Sequence, residues 1–468
     1  MEEDFLGEEV KGIVQRYEKM LRTKSNEYFD AESLEQISEY YIQQDNLKKA
    51  IAVVQYGLEI YVNHPILLMK LAEIHHINGK HLEALACLEK AEVYEPQNTE
   101  LLLQKGEVLL VLNQLKHADE CFNKCLSYAD ERIEMLFEIA YIYESCDQPG
   151  IAVNYIKSII ESEPENEQAY YALAICYEQM EDYENAINTY KLLIDIDPYN
   201  ETAWYNLGII YSKASRHKEA IEAFDFCIAI DEEFSLAYFN KANSEADLCL
   251  YNDAIKTYEQ VIELEGEDSI AYCNMGGCYE RLGNYAKARE CYRKATGLNQ
   301  HIAEGWFGIG LTYDKEDRIN EARQFYKKAV ALEPDNTEYL LVLAETTYRL
   351  NDYEEANKIY QQLLDIDPGL PEAWLDWSFV KFNEGKVEEA VELMREALKI
   401  NPDYAQYHYR LVCYLYEAGK PKEALTHLER ALTLLFDDHH QIFEISPKLQ
   451  NIPEVMQLID AYKKDLED

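Results

Sequence analysis

Cations, glycine and proline are the scarce residues in this sequence. Only 44 Lys and Arg stand against 88 Asp and Glu, a formal net charge of −44 over 468 residues. Binding to nucleic acid or to an anionic membrane surface needs clustered Lys and Arg, so this balance argues against both. It suits basic partners, or solubility alone. The 18 Gly and 12 Pro form no linker-like stretch. No apolar run approaches the roughly 18–20 residues needed for a membrane span. The first residues, Met1-Glu2-Glu3-Asp4-Phe5-Leu6, lack the basic and apolar segments of a signal peptide. Eleven cysteines, an odd number, read as reduced thiols, and the expected location is cytoplasmic.

Chemical motifs are missing too. There is no paired CxxC, no phosphate-cradling Gly-rich loop, no GxSxG elbow and no HExxH. Cys121 with Cys125, and Cys273 with Cys278, lack zinc-site spacing and fall mostly at packing phases. His75 and His76, adjacent on a helix, point about 100° apart and cannot easily share a metal. Asp437-Asp438-His439-His440 reads as a loop, at best a weak metal site. The expectation is therefore a non-enzyme with no catalytic, cofactor-binding or metal site.

What the sequence does have is a register. Stepping by 34 from Ala50 lands on Ala84, Ala118, Ala152, Ala186, Ala220, Ala254, Ala288, Ala322, Ala356, Ala390 and Ala424. Twelve residues before each stands a small residue, from Ser38 and Ala72 to Ser378, with Val412 the one departure. Two small positions on two helices are what close helix–helix approach requires. Within one unit, Trp204, Leu207, Gly208 and Tyr211 form the stripe of a first helix, and Ala220, Phe224 and Cys227 that of a second. Pro96, Pro164, Pro198, Pro334, Pro368 and Pro402 recur at one phase, where the second helix must end or turn.

The residues Trp204, Gly208, Tyr211, Ala220, Phe224 and Pro198, with their spacing, resemble the tetratricopeptide repeat (TPR). The resemblance covers residues 31–438 as twelve tandem units. The fold class expected is all-α, a right-handed α-solenoid (superhelix) of helix-turn-helix repeats with capping helices. Residues 1–30 are read as an N-terminal capping helix and lead-in, with Val10, Ile13, Val14, Tyr17 and Leu21 at helical spacing. Residues 439–468 are read as a C-terminal linker and capping helix, with Val455, Ile459, Tyr462 and Leu466 facing inward.

The resemblance implies a concave groove lined by the first helices, and three rows of residues fall at its phases. Asn206, Asn240 and Asn274 could grip a peptide backbone, since an amide both donates and accepts. Phe137, Tyr171, Tyr205, Phe239 and Phe307 form an aromatic row suited to anchoring, although Tyr is ordinary there. Glu39, Glu73, Glu107, Glu144, Glu178, Glu280 and Asp314 form an acidic row, which would favour a basic segment or simply face solvent. Lys213, Arg281, Lys315 and Arg349 lie in a row near first-helix C-termini, where cations also satisfy the helix dipole. Lys241 and Glu245 stand at normally apolar phases and could pair.

The function expected is a non-enzymatic protein–protein interaction scaffold holding an extended peptide, basic or otherwise, in that groove. Its partner would be a protein or peptide, with no nucleic acid and no membrane insertion. The alternative is a structural subunit of a multiprotein assembly, or a homo-oligomer, using its outer helices.

Overall fold

The computed structural model describes the backbone of residues 2–467 and the side chains of residues 10–464. The chain is all-α, with no strand among the described residues. It divides into two compact units, Met1–Ile230 and Asp231–Asp468. The first opens with the helix Glu2–Thr23 and continues as six helical hairpins, from Ala31–Gln43 with Leu47–Ile60 to Glu201–Lys213 with His217–Ile230. The second holds six hairpins, from Ser235–Asp247 with Tyr251–Glu265 to Ala405–Glu417 with Pro421–Leu434. It ends in short helical turns and the helix Pro453–Glu467.

Numbering every repeat from its own first residue (31, 65, 99 and so on) makes the local rules visible. Position 15, in the turn inside each hairpin, is left-handed in all twelve: Asp45, Gly79, Asn113, Asp147, Glu181, Ser215, Cys249, Gly283, Asp317, Asn351, Gly385 and Gly419. Glycine holds this conformation at little steric cost and Asn or Asp at modest cost, whereas Glu181 and Cys249 are strained there. Asn98, Asn166, Asn200 and Asn336 cap first helices by accepting from a backbone N–H three residues on.

Position 4 ties the turn between hairpins. Trp204 Nε1 donates to the Pro198 carbonyl at 3.1 Å, Trp306 to Gln300 at 3.1 Å and Trp374 to Pro368 at 2.8 Å. The Tyr170 hydroxyl does the same to Pro164 at 3.1 Å, and His408 Nε2 lies 3.0 Å from the Pro402 oxygen. Each bond satisfies a carbonyl that the ended helix left without a partner.

The small residue at position 8 makes room for an aromatic ring at position 24. A Cβ added at Gly106 would come within 2.3 Å of Phe122, at Gly208 within 2.5 Å of Phe224, and at Gly310 within 2.5 Å of Tyr326. The position-20 alanines are fully buried against the same helix pair.

At the N-terminal end Val14, Tyr17 and Met20 are buried, while Leu21 is 55% exposed. The inward stripe thus steps by three residues and turns Leu21 outward. At the C-terminal end Val455 and Ile459 are buried; the Leu466 side chain lies outside the described residues. Asp437-Asp438-His439-His440 is a 3-10 turn rather than a loop. His439 Nδ1 and His440 Nδ1 lie 2.7 and 3.0 Å from the Phe436 and Asp437 carbonyls, which occupies those nitrogens. Lys241 Nζ stands 3.9 Å from Glu245, which is buried and accepts from the Thr257 hydroxyl at 2.8 Å. The odd phase of Glu245 is thus compensated by hydrogen bonding.

Candidate functional site

Two kinds of stitch join successive first helices, and both consume residues that the sequence marks for a groove. One links position 6 to position 9 of the preceding repeat. Lys70 Nζ meets Glu39 at 2.9 Å, and Asn274 Nδ2 donates to Asn243 Oδ1 at 3.1 Å. The other links position 13 to position 12 of the preceding repeat. Gln179 donates to Glu144 at 2.8 Å, Lys213 pairs with Glu178, and Arg349 pairs with Asp314 at 2.6 Å. Two of the four cations in the basic row, Lys213 and Arg349, are therefore paired with members of the acidic row. Each rung is partly exposed, worth at most about 1 kcal/mol.

In the second unit Arg349–Asp314 is kept, but two of the charged rungs are missing. Ala246 stands where Arg281 would need an acid, and Glu280, the counterpart of Lys315, instead accepts from Tyr292 Oη at 3.3 Å. Burial raises the Glu280 pKa, opposed by that hydrogen bond and by Arg281 and Lys315.

The aromatic row is engaged inside its own framework. Tyr171 donates to Asn200 Oδ1 at 2.8 Å; Tyr205 and Phe239 lie 6.0 and 5.8 Å from the Phe224 and Tyr258 rings. Phe307 is only 6% exposed, stacked 4.4 Å from Tyr339 of the next repeat. Asn206 and Asn240 are half-buried, and Asn240 donates to the Leu236 carbonyl of its own helix at 3.0 Å.

In the unit Asp231–Asp468 an open pocket of about 950 Å³ brings three of the sequence-marked residues together: Asn274, Glu280 and Phe307. Phe239, Asn240 and Asp314 do not line it. Asn243 forms part of the wall and accepts from both Asn274 and the Tyr258 hydroxyl, the latter at 2.5 Å. Glu304 and Glu338, at position 2 of consecutive repeats, complete the acidic side with Asp247. Neither Glu304 nor Glu338 joins an ion pair among the described residues. Crowding by protein raises the Glu304 pKa, and repulsion from Glu333 and Glu338 raises it further, although its own surface stays open to water. Arg281 is the one cation on the wall. The pocket thus combines tyrosine rings, an amide pair and carboxylates short of cations, a lining that can accept a cationic group but offers no nucleophile–base pair. Cys273 and Cys278 also line it, and burial pushes both thiols up, Cys278 to about 11, away from the reactive thiolate. The sequence reading missed Glu304, Glu338, Tyr258 and Tyr292; the available signal was the recurrence of Glu at position 2.

Models described as tetratricopeptide repeat match residues 99–132, 202–234, 269–301, 315–375 and 381–442, and one described as TPR repeat matches 177–215. No curated protein sequence matches this one. Among solved structures, the crystal structure of MamA is 25% identical, covering 36% of this chain and 98% of its own, at a TM-score of 0.34. That of YrrB, described as a TPR protein with an unusual peptide-binding site, is 22% identical and covers 40% and 96%, at 0.35. The APC/C hetero-tetramer Cut9-Hcn1 is 15% identical and covers 88% and 95%, at 0.39.

Proposed function

From the premise that the chain is a tetratricopeptide-repeat protein, we propose that it is a non-catalytic scaffold holding an extended, basic peptide segment against its first helices. The observation that carries this reading is the pocket of Asn243, Asn274, Glu280, Glu304 and Glu338. A Lys or Arg side chain entering there relieves the repulsion between carboxylates, and its aliphatic stem lies along Phe307 and the tyrosine rings. The amide pair Asn243–Asn274 has acceptor and donor capacity left for a peptide backbone. The eleven cysteines suit a reducing compartment, and we place the protein in the cytoplasm.

The test is site-specific crosslinking in lysate of the native host, with a photoreactive residue at Asn274 or, as control, at Lys218 on a second helix. Capture of Lys- or Arg-bearing segments at 274 and not at 218 is expected. Capture confined to position 218 would overturn the reading. Glu304→Lys with Glu338→Lys should then abolish capture at 274, while leaving the fold intact.

A further inference from the structure

Two consecutive second helices depart from the acidity of the rest of the chain. Tyr285–Leu298 carries Lys287, Arg289, Arg293 and Lys294 against Glu290 alone, and Ile319–Leu332 carries Arg323, Lys327 and Lys328 against Glu321 alone. Three of these positions repeat in register, 34 residues apart: Arg289 with Arg323, Arg293 with Lys327, and Lys294 with Lys328. One repeat earlier the same positions hold Ile255, Glu259 and Gln260, and one repeat later Asn357, Gln361 and Gln362.

The first pair is structural. Arg289 meets Glu316 at 2.9 Å, and Arg323 meets Asp352 at 3.1 Å. Lys327 is taken by Glu355 at 2.6 Å. The remaining cations are exposed and, among the described residues, make no ion pair with a carboxylate, in a chain with twice as many acids as bases. Aromatic groups hold them instead. Lys328 Nζ lies 4.1 Å from the Trp306 ring centre, Lys294 4.8 Å from Tyr272 and Lys287 5.1 Å from Tyr279. Arg293 donates to the Tyr313 hydroxyl at 2.9 Å. Three of the rings form one stack, Tyr313 on Phe325 at 5.5 Å and Phe325 on Trp306 at 6.1 Å.

A ring fixes where a cation stands without cancelling its charge, so the face is ordered before any partner arrives. Glu259, Glu263 and Glu290 share a cleft of about 410 Å³ with Lys287 and Lys294 and bound the patch on one side. We infer that this face, on the second helices of two adjacent repeats, docks an acidic protein segment whose carboxylates pair with Lys287, Arg293, Lys294 and Lys328. A short segment fits the charge pattern better than nucleic acid does, because a long polyanion would run onto the surrounding acidic helices. None of the four cations lines the pocket of Asn243, Asn274 and Glu304.

The experiment uses the full chain and a fluorescein-labelled decaglutamate peptide, read by fluorescence anisotropy. Binding should weaken steeply as salt rises from about 0.05 to about 0.5 M. It should fall at least about tenfold in the variant K287E/R293E/K294E/K328E. Reversing four exposed lysines elsewhere, K48E/K116E/K218E/K422E, should change it by less than about twofold. Circular dichroism checks the fold, and K294Q/K328Q should show a smaller loss if the quadruple variant unfolds. Equal losses in both sets, or no binding, would overturn the proposal. So would tighter binding of polyuridylate than of the peptide, or salt-sensitive self-association without peptide binding, which assign the face to RNA or to a second copy.

Discussion

Trp204 and Trp306 occupy position 4 of repeats three apart, and each donates to a turn carbonyl six residues back at 3.1 Å. Their neighbours differ. In the first unit Phe226 stacks 4.4 Å from Trp204 and is 54% exposed; in the second, the same position holds Lys328, poised 4.1 Å over Trp306. One frame therefore carries an apolar surface in one place and a cationic one in another. The bond that fixes the turn is kept, and the variation sits one helix away, where no buried group depends on it.

If the frame is common and only the surface varies, frame changes should cost the same in both units. Gly208→Ala and Gly310→Ala should each destabilise by about 1–3 kcal/mol, because the new methyl group enters a ring that has nowhere to move. Urea unfolding would read this, and a loss at one site only would break the comparison. Trp204→Phe and Trp306→Phe should each cost about 1 kcal/mol for the lost hydrogen bond.

A third occupant of the slot sharpens the comparison further. His408 stands at position 4, with Nδ1 2.9 Å from His427 Nδ1, and burial lowers the pKa of both rings below the usual 6.5. The unfolded chain therefore takes up protons first, and this part of the stability is present above about pH 6.5 and lost as pH falls below it. Arg430, Arg395, Asp403 and Glu423 also act on the pair. Asp376 in the same unit, raised to about 6 by burial, works in the opposite direction, gaining stability as pH falls through that value. The readout is therefore the difference between wild type and His408→Trp, measured as the urea midpoint at pH 7.5 and 5.5. Wild type should lose stability relative to the variant as pH falls; a pH-independent difference would exclude the histidine pair as its source. The smallest effect belongs to the surface swap. Phe226→Lys should change stability by under about 1 kcal/mol, since a cation–π contact replaces a ring contact.

The fold was legible because its rules are local and repeated. The alanines at position 20, the small residues at position 8 and the turn prolines each report a constraint inside one hairpin. The left-handed turn was harder to see, since only Gly79, Gly283, Gly385 and Gly419 announce it, and Ser215 and Cys249 adopt it under the compulsion of the frame. The candidate site was legible only in part. Phe307 has the phase of an exposed anchor but is covered by Tyr339, and Glu178 and Asp314 are taken by cations 35 residues further on. Those facts belong to pairs of residues in different repeats, and reading rows one at a time does not disclose them. The basic register at Arg293, Lys294, Lys327 and Lys328 was open to view, but a net charge of −44 averages it away.

The ladder of exposed stitches between successive first helices also has a mechanical consequence. Apolar contact is lost once a joint gapes by the width of a water molecule, whereas attraction between opposite charges fades over about 8 Å at physiological salt. A joint stretched slightly is therefore still drawn shut by pairs such as Lys213–Glu178 and Arg349–Asp314 after its packing has given way. Where a charged rung is missing, as between Ala246 and Arg281, and only the neutral Asn243–Asn274 stitch joins the helices, that restoring pull is weaker.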